Sequence, residues 1–404
     1  MSDPPDQRRA VVVSAVMPYP ATGGGHKRTL RLLEAIERSG GSPHLLTSDP
    51  GQPGGAEELR RRGWTVEVVD EPPPGRLARA RQHVRRLPSP YLAGVAARLR
   101  ALAPSAAFVQ IEHTQSAYYT GALEGVRWIL SLHNVDSQML ESVARGQRPL
   151  SLGWARAWNR TLALRAVERR AVPRATAVLC VSERDRDHFS GRAERLLLVP
   201  NGVDDEFFEV PEGLPEGEDV IFFGQFDYPP NALGVERFLR EGWPALARER
   251  PGARLRLVGQ RMSPELARLA AGGERVEVVG FVDDVTQELA ASRLVIVPLW
   301  QGGGTRLKVL ESLAACRPVV GTPLGVEGIG FEHDRHGLVA EEPRSLAAAA
   351  AELLGDAERS ARLALSGRGL AESYRWVRAT EPAQELYRSW LDSGPPEGVE
   401  RLSR

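Results

Sequence analysis

The stretch that most restricts the fold is residues 294–321, LVIVPLWQGGGTRLKVLESLAACRPVVG. It opens with the apolar run Leu294–Val297, closed by Pro298, which reads as a strand buried on both faces. Gly302, Gly303 and Gly304 follow as a turn in which bare backbone can lie against a ligand. From Thr305 the pattern is helical. Leu307, Leu310, Leu313 and Ala314 share one face, with Arg306, Lys308 and Glu311 between them. Pro318 to Gly321 then reads as the next buried strand. A glycine turn entering a helix is an anion site, because unpaired N–H groups and the helix dipole point into it. Arg306 and Lys308 in the first turn oppose that dipole unless an anion sits beside them. Taken alone, the stretch reads as an ordinary strand–loop–helix unit with a solvated basic turn. No Gly-Lys-Ser/Thr follows the glycines, so it is not a Walker A loop.

The same unit stands at the N-terminus. Residues 10–16 form an apolar strand, the loop MPYPATGGGHKR follows, and a helix begins with Leu30, Leu33 and Ile36 on one face, ending near Gly40 and Gly41. A dinucleotide fingerprint on Gly23 and Gly25 would need a third glycine where Arg28 stands, so it fails. His26, Lys27 and Arg28 add donors to the Gly23, Gly24, Gly25 loop, suited to a phosphate or else to water.

Further strands are expected at 43–48, 65–70, 107–112, 128–133, 176–181 and 196–204, with Ser182 capping a helix. The strand ending at Glu112 is followed by His113 and Gln115, and the next by His133, Asn134 and Asp136. Ligands of open parallel sheets lie outside the carboxyl ends of strands, which makes these side chains candidates. A long helix over 148–172 carries Trp154, Trp158, Leu162 and Arg165 on one side, a packing stripe by its spacing. Residues 76–100 are arginine-rich, with Leu77 and Val84 on one face. Such a segment is a solvated helix or, as a second reading, a peripheral contact with an anionic membrane.

After the proline- and glycine-rich connector at 211–219, the rhythm restarts. VIFFGQ, ARLRLVG, VEVVG, LVIVP and PVVGT read as short buried strands, with helices near 231–250, 263–271, 285–291 and 305–316. Asp283 and Asp284 open one of these helices and read as a cap; no metal is assigned. The 404 residues therefore divide into an N-terminal domain, 1–202, a second domain, 203–372, and 373–404. In the last segment a helix over 370–390 is expected to pack back on the first domain, before a disordered tail. The fold class is α/β, two facing doubly wound Rossmann-like domains with an interdomain cleft. Lys+Arg 52 balances Asp+Glu 52, so no global field argues for nucleic acid. The two cysteines, Cys180 and Cys316, support no disulfide framework, and with no signal-peptide pattern or membrane-length run a cytoplasmic protein is expected.

The runs FFGQFDYPPNALGVERFL, VEVVGFVDDV, VPLWQGGGTRLKVLES and PVVGTPLGVEGI, with PNGVDDEFF and SLHNVDSQML, resemble the group-one (family four) glycosyltransferases. The resemblance covers nearly the whole chain, most strongly 196–330. It implies the GT-B fold and a retaining enzyme, without cofactor, that uses a UDP-, GDP- or dTDP-linked sugar and an unknown acceptor. By this resemblance Glu311 binds the donor ribose, and Gly224 and the backbone of Gly302–Thr305 lie near the donor. Arg306 and Lys308 would neutralise the leaving diphosphate, and Gly23–Gly25 would approach it. His133 matches the family histidine near the transferred sugar, with Glu112, His113, Asn134 and Asp136 on the acceptor side.

Two departures stand out. Gly303 occupies the place of an earlier family glutamate, and Gln225, Phe226, Asp227 and Asn231 stand where many members carry an Arg and a Lys. Arg306 and Lys308 are expected to supply that charge from the later loop. A nucleotide-sugar epimerase and an inactive sugar-nucleotide binder are the alternatives.

Overall fold

The computed structural model describes residues 8–21, 23–71, 92–145, 147, 149, 151–302 and 306–394. The expected features at 76–91, Gly303, Gly304, Thr305 and the tail 395–404 lie outside the described residues. Backbone contacts divide the chain into two units, 1–200 with 380–404, and 201–379.

The first unit is built on a seven-stranded sheet of order β3-β2-β1-β4-β5-β6-β7. Its strands are β1 (Arg9–Ser14), β2 (Ser42–Thr47), β3 (Thr65–Val68), β4 (Phe108–Glu112), β5 (Trp128–Ser131), β6 (Ala177–Cys180) and β7 (Leu196–Leu198). Every neighbouring pair is parallel. Such a sheet is covered on both faces, and successive residues feed opposite cores. Val12 joins one apolar cluster, while Val11 and Val13 join the other. The strand order reverses between β1 and β4, which makes the loops after these two strands the switch point.

The second unit carries a six-stranded parallel sheet, β10-β9-β8-β11-β12-β13. These are β8 (Asp219–Phe223), β9 (Arg254–Val258), β10 (Val276–Gly280), β11 (Leu294–Val297), β12 (Val319–Gly321) and β13 (Gly337–Val339). Its switch point lies between β8 and β11, so the turns at Gly224 and at Pro298–Gly302 adjoin.

Several elements differ from expectation for local reasons. The strand β10 is an edge strand and only half-buried, with Val278 exposed, because one side has no neighbour. The helix expected near 231–250 is two, Pro229–Glu241 and Trp243–Glu249, since Pro244 can only begin a helix. The expected helix over 370–390 is three pieces, the end of Ala357–Glu372, Trp376–Ala379 and Glu381–Asp392, the last opened by Pro382. In the long helix Leu152–Ala171, the buried face is Ala157, Thr161, Leu164 and Glu168, not the tryptophan stripe. Trp154 and Trp158 are half-buried and meet edge to face, and Leu162 is exposed. The helix Asp136–Arg145 and the strand β13 were not foreseen.

The helix Glu381–Asp392 packs on the first sheet, its Tyr387 ring stacked on Phe108 at 5.2 Å between centroids. Both cysteines are buried and unpaired. No helix among the described residues is long and apolar enough to cross a membrane.

Candidate active site

In the first unit the glycine loop is itself the helix start. Gly23 precedes the helix Gly24–Arg38, with no side chain capping it and no acid in the first turn. That leaves a positive helix end bare. Arg28 does not add to the loop as expected. Its side chain is fully buried and donates to the carbonyl of Val199 at 2.7 Å, tying this helix to the end of β7.

Beside this helix start, β4 and β5 deliver two histidines. The rings of His113 and His133 lie 3.6 Å apart between centroids at an angle of 33°. A Cβ on Gly25 would stand 3.3 Å from His113 Cε1 and 3.5 Å from His133 Nδ1, so the glycine loop lies directly over the pair. His113 adopts φ 64°, left-handed backbone that is costly for a residue with a Cβ. Burial pushes its pKa down to about 3, and burial also holds His133 well below the usual imidazole range. Both rings are therefore neutral at physiological pH.

A polar chain leads into this pair through the core. Tyr387 donates to Gln110 Oε1 at 2.6 Å, and Gln110 Nε2 donates to Glu112 Oε1 at 2.5 Å. His133 Nε2 lies 2.6 Å from Glu112 Oε2, which Thr29 also approaches at 3.4 Å. Glu112 is completely buried, which raises its pKa, while His113 and Arg28 oppose the rise. Asn134 is half-buried at the same strand end. Asp136 opens its helix in a buried position, and desolvation raises its pKa to about 6.

In the second unit the helix runs from Leu307 to Ala314, with buried Arg306 just before it rather than in its first turn. Lys308 does not point to solvent. Its ammonium donates to Asn231 Oδ1 at 2.8 Å and lies 4.0 Å above the Phe222 ring. Asn231 in turn donates to the carbonyl of Gln225 at 2.7 Å. Gly224 has φ 148°, and a Cβ there would stand 3.0 Å from both Lys308 Nζ and Asn231 Nδ2. Only a glycine lets this ammonium sit against the strand end. Burial lowers the Lys308 pKa to about 7, against a rise from Glu311, which follows one turn on the same face. Gly302 packs against Pro230 across the switch point. Asp284 caps its helix as expected, accepting from the Thr286 backbone at 2.9 Å.

The structure thus gathers Gly25, Glu112, His113 and His133 in the first unit. In the second it gathers Gly224, Lys308, Asn231 and Gln225. Gln110 and Tyr387 were not foreseen, although a lone polar residue inside the apolar run of β4 was a signal.

A family model described as glycosyl transferases group 1 matches residues 217–356, and one described as glycosyltransferase family 4 matches residues 22–207. Among solved structures, sucrose-phosphate synthase from Thermosynechococcus elongatus aligns with TM-score 0.70 and 19% identity, covering 96% of this chain and 100% of that one. HepE from Anabaena, in complex with UDP and glucose, aligns with TM-score 0.66 and 18% identity, covering 94% and 99%. Two curated relatives match over shorter stretches. An uncharacterised protein in the cps region of Klebsiella pneumoniae is 27% identical over 133 residues, 31% of this chain. An exopolysaccharide phosphotransferase of Streptomyces coelicolor is 27% identical over 201 residues, 46% of this chain. The chain spans 34% and 20% of the length of these two relatives.

Two doubly wound parallel sheets, each with a glycine turn at its switch point, make up the GT-B fold. The chain belongs to the group 1, family 4 glycosyltransferases.

Proposed function

We propose that the chain moves a sugar from a nucleoside diphosphate sugar to an acceptor hydroxyl with retention of configuration. The observation that carries this reading is the Lys308 ammonium, 2.8 Å from Asn231 and seated against bare Gly224. By the family resemblance, Asn231 stands where many members carry a cation, and Lys308 brings one to it from a different element. With Arg306 it would neutralise the diphosphate as the bond to the sugar breaks, when charge on the leaving oxygen grows. Glu311 would accept hydrogen bonds from the ribose hydroxyls. The backbone of Gly302 would lie near the phosphates.

In this reading the acceptor oxygen forms a bond to the anomeric carbon on the face the leaving group departs from. The bond from that carbon to the phosphate oxygen breaks, and the acceptor proton passes to the departing phosphate. His133, neutral and held by Glu112, would accept a hydrogen bond from a hydroxyl of the transferred sugar through Nδ1. The diphosphate charge is assigned to Lys308 and Arg306 and to no metal. The likeness to a phosphotransferase of exopolysaccharide favours polysaccharide assembly as the setting.

Calorimetric titration with UDP-, GDP- and dTDP-sugars on wild type and Glu311→Ala tests the reading. One donor should bind wild type and bind the variant at least tenfold more weakly, about 1.4 kcal/mol. Absence of binding by all three, or equal binding by the variant, would overturn it. The complex of HepE with UDP makes the uridine series the first to try.

A further inference from the structure

Apart from the residues read above, the first unit holds a cavity of about 1040 Å³ lined by Arg145, Arg165, Arg169, Arg184 and Arg192. Its walls come from the helices Asp136–Arg145, Leu152–Ala171 and Glu183–Phe189. Two carboxylates line the cavity with these five guanidinium groups, and Arg184 also acts on the neighbouring Asp185, so cations outnumber the acids around it. Glu141 is engaged by Arg145 at 2.6 Å and by Arg165. Glu168 is only 3% exposed and turned inward, accepting from the Ser137 backbone at 3.1 Å and its hydroxyl at 2.6 Å. Burial raises the Glu168 pKa, opposed by its hydrogen bonds from Ser137. Arg169 and Arg192 are exposed on the rim and meet no carboxylate at ion-pair distance among the described residues.

His188 on the same wall senses this field. It pairs with Gln138 at 2.9 Å, and its pKa is lowered first by burial and then by the Arg192 and Arg165 cations. A concave surface lined by one sign of charge concentrates counter-ions, and planar guanidinium forks match phosphate oxygens two at a time. The wall residues Ser137 and Gln138 follow Asp136 directly, a few residues beyond His133 and Asn134.

We propose that this cavity binds a phosphate or diphosphate group carried by the acceptor, an assignment that rests on the glycosyl-transfer reading above. The acceptor is then an anionic molecule anchored by its phosphate rather than a neutral saccharide.

Calorimetry of the full chain with inorganic pyrophosphate tests this on wild type, Lys308→Ala and Arg169→Ala/Arg192→Ala. Both arginines are exposed, so the double variant should fold, as its thermal melt will report. Pyrophosphate should still bind Lys308→Ala and shift the His188 imidazole resonance there, and the midpoint of that His188 shift should rise at least tenfold in the double variant. An equal midpoint of the His188 shift in wild type and double variant, or complete loss of binding in Lys308→Ala, overturns the site. Phosphatidylcholine vesicles with and without phosphatidic acid separate the sources. Arginine-dependent binding to the acidic vesicles places the phosphate on a lipid, and pyrophosphate binding without it places the phosphate on a soluble acceptor. Failure of every nucleotide sugar to bind wild type would instead overturn the donor reading, and with it the acceptor assignment, whatever pyrophosphate does.

Discussion

His133 Nε2 lies 2.6 Å from Glu112 Oε2, and this contact decides which ring nitrogen the histidine offers. Gln110 donates to the other carboxylate oxygen, and Thr29 donates to the same one. An ionised carboxylate accepts on both sides, and Nε2 then carries the proton. Nδ1 is left as a lone pair without a hydrogen-bond partner among the described residues, 3.5 Å from where a Cβ on Gly25 would stand.

Glu112→Gln keeps the shape and removes the charge that fixes this tautomer. A hydrogen bond to a charged group contributes about 1.5–3 kcal/mol, so kcat should fall roughly 10- to 100-fold. The KM for donor should change little, because Glu112 does not touch the nucleotide in the proposed site. Steady-state kinetics beside a thermal melt separate this from general destabilisation; an unchanged kcat would count against the assignment.

Lys308 gives donor binding a defined pH dependence. Its pKa of about 7 in the free protein means that it loses its proton as pH rises above neutrality. A bound diphosphate favours the charged form, so binding takes up a proton there and affinity falls with rising pH. UDP affinity should be flat below pH 7 and decline by up to about tenfold per pH unit above it. Lys308→Met should bind weakly with no such slope, and Asn231→Lys added to Lys308→Asn should restore binding. Calorimetry in two buffers of different ionisation enthalpy counts the proton directly.

Tyr387→Phe removes one hydroxyl and retains the ring stacked on Phe108. Gln110 Oε1 would then lose its buried donor, at a cost of about 1–3 kcal/mol. The first unit should melt several degrees lower, and because the chain Tyr387–Gln110–Glu112 ends on His133, kcat should drop as well. A melt that shifts with no change in kcat would confine Tyr387 to a packing role.

Asp136 makes the first unit less stable as pH rises. Its folded pKa of about 6 lies above the usual aspartate value, so the folded state holds more protons than the unfolded between those two values. Stability is then greatest below the unfolded pKa and declines as pH climbs through about 6. Wild type should melt at a higher temperature at pH 5 than at pH 8, after allowance for other groups, and Asp136→Asn should narrow the gap. Glu168 and Glu112, also raised by burial, act in the same direction.

Much of the architecture was legible because parallel strands buried on both faces leave continuous apolar runs, as in AVVVS of β1 and LVIV of β11. The strand β13 escaped because a three-residue run beginning with glycine carries no period. In the site, Glu112 and His133 could be singled out by standing at strand ends. The direction of Arg28 could not, because a basic residue beside a glycine loop looks solvated until the end of β7 is brought to it.

Most of the order of strands, glycine turns and helices was determined by the sequence alone, since each depends on residues a few positions apart. The tertiary structure decided the pairings: Lys308 with Asn231, Arg28 with Val199 and Tyr387 with Gln110, which join residues 77, 171 and 277 positions apart. Local pattern places a side chain on a face, but its partner, its burial and hence its charge state are set only when distant segments pack and exclude water.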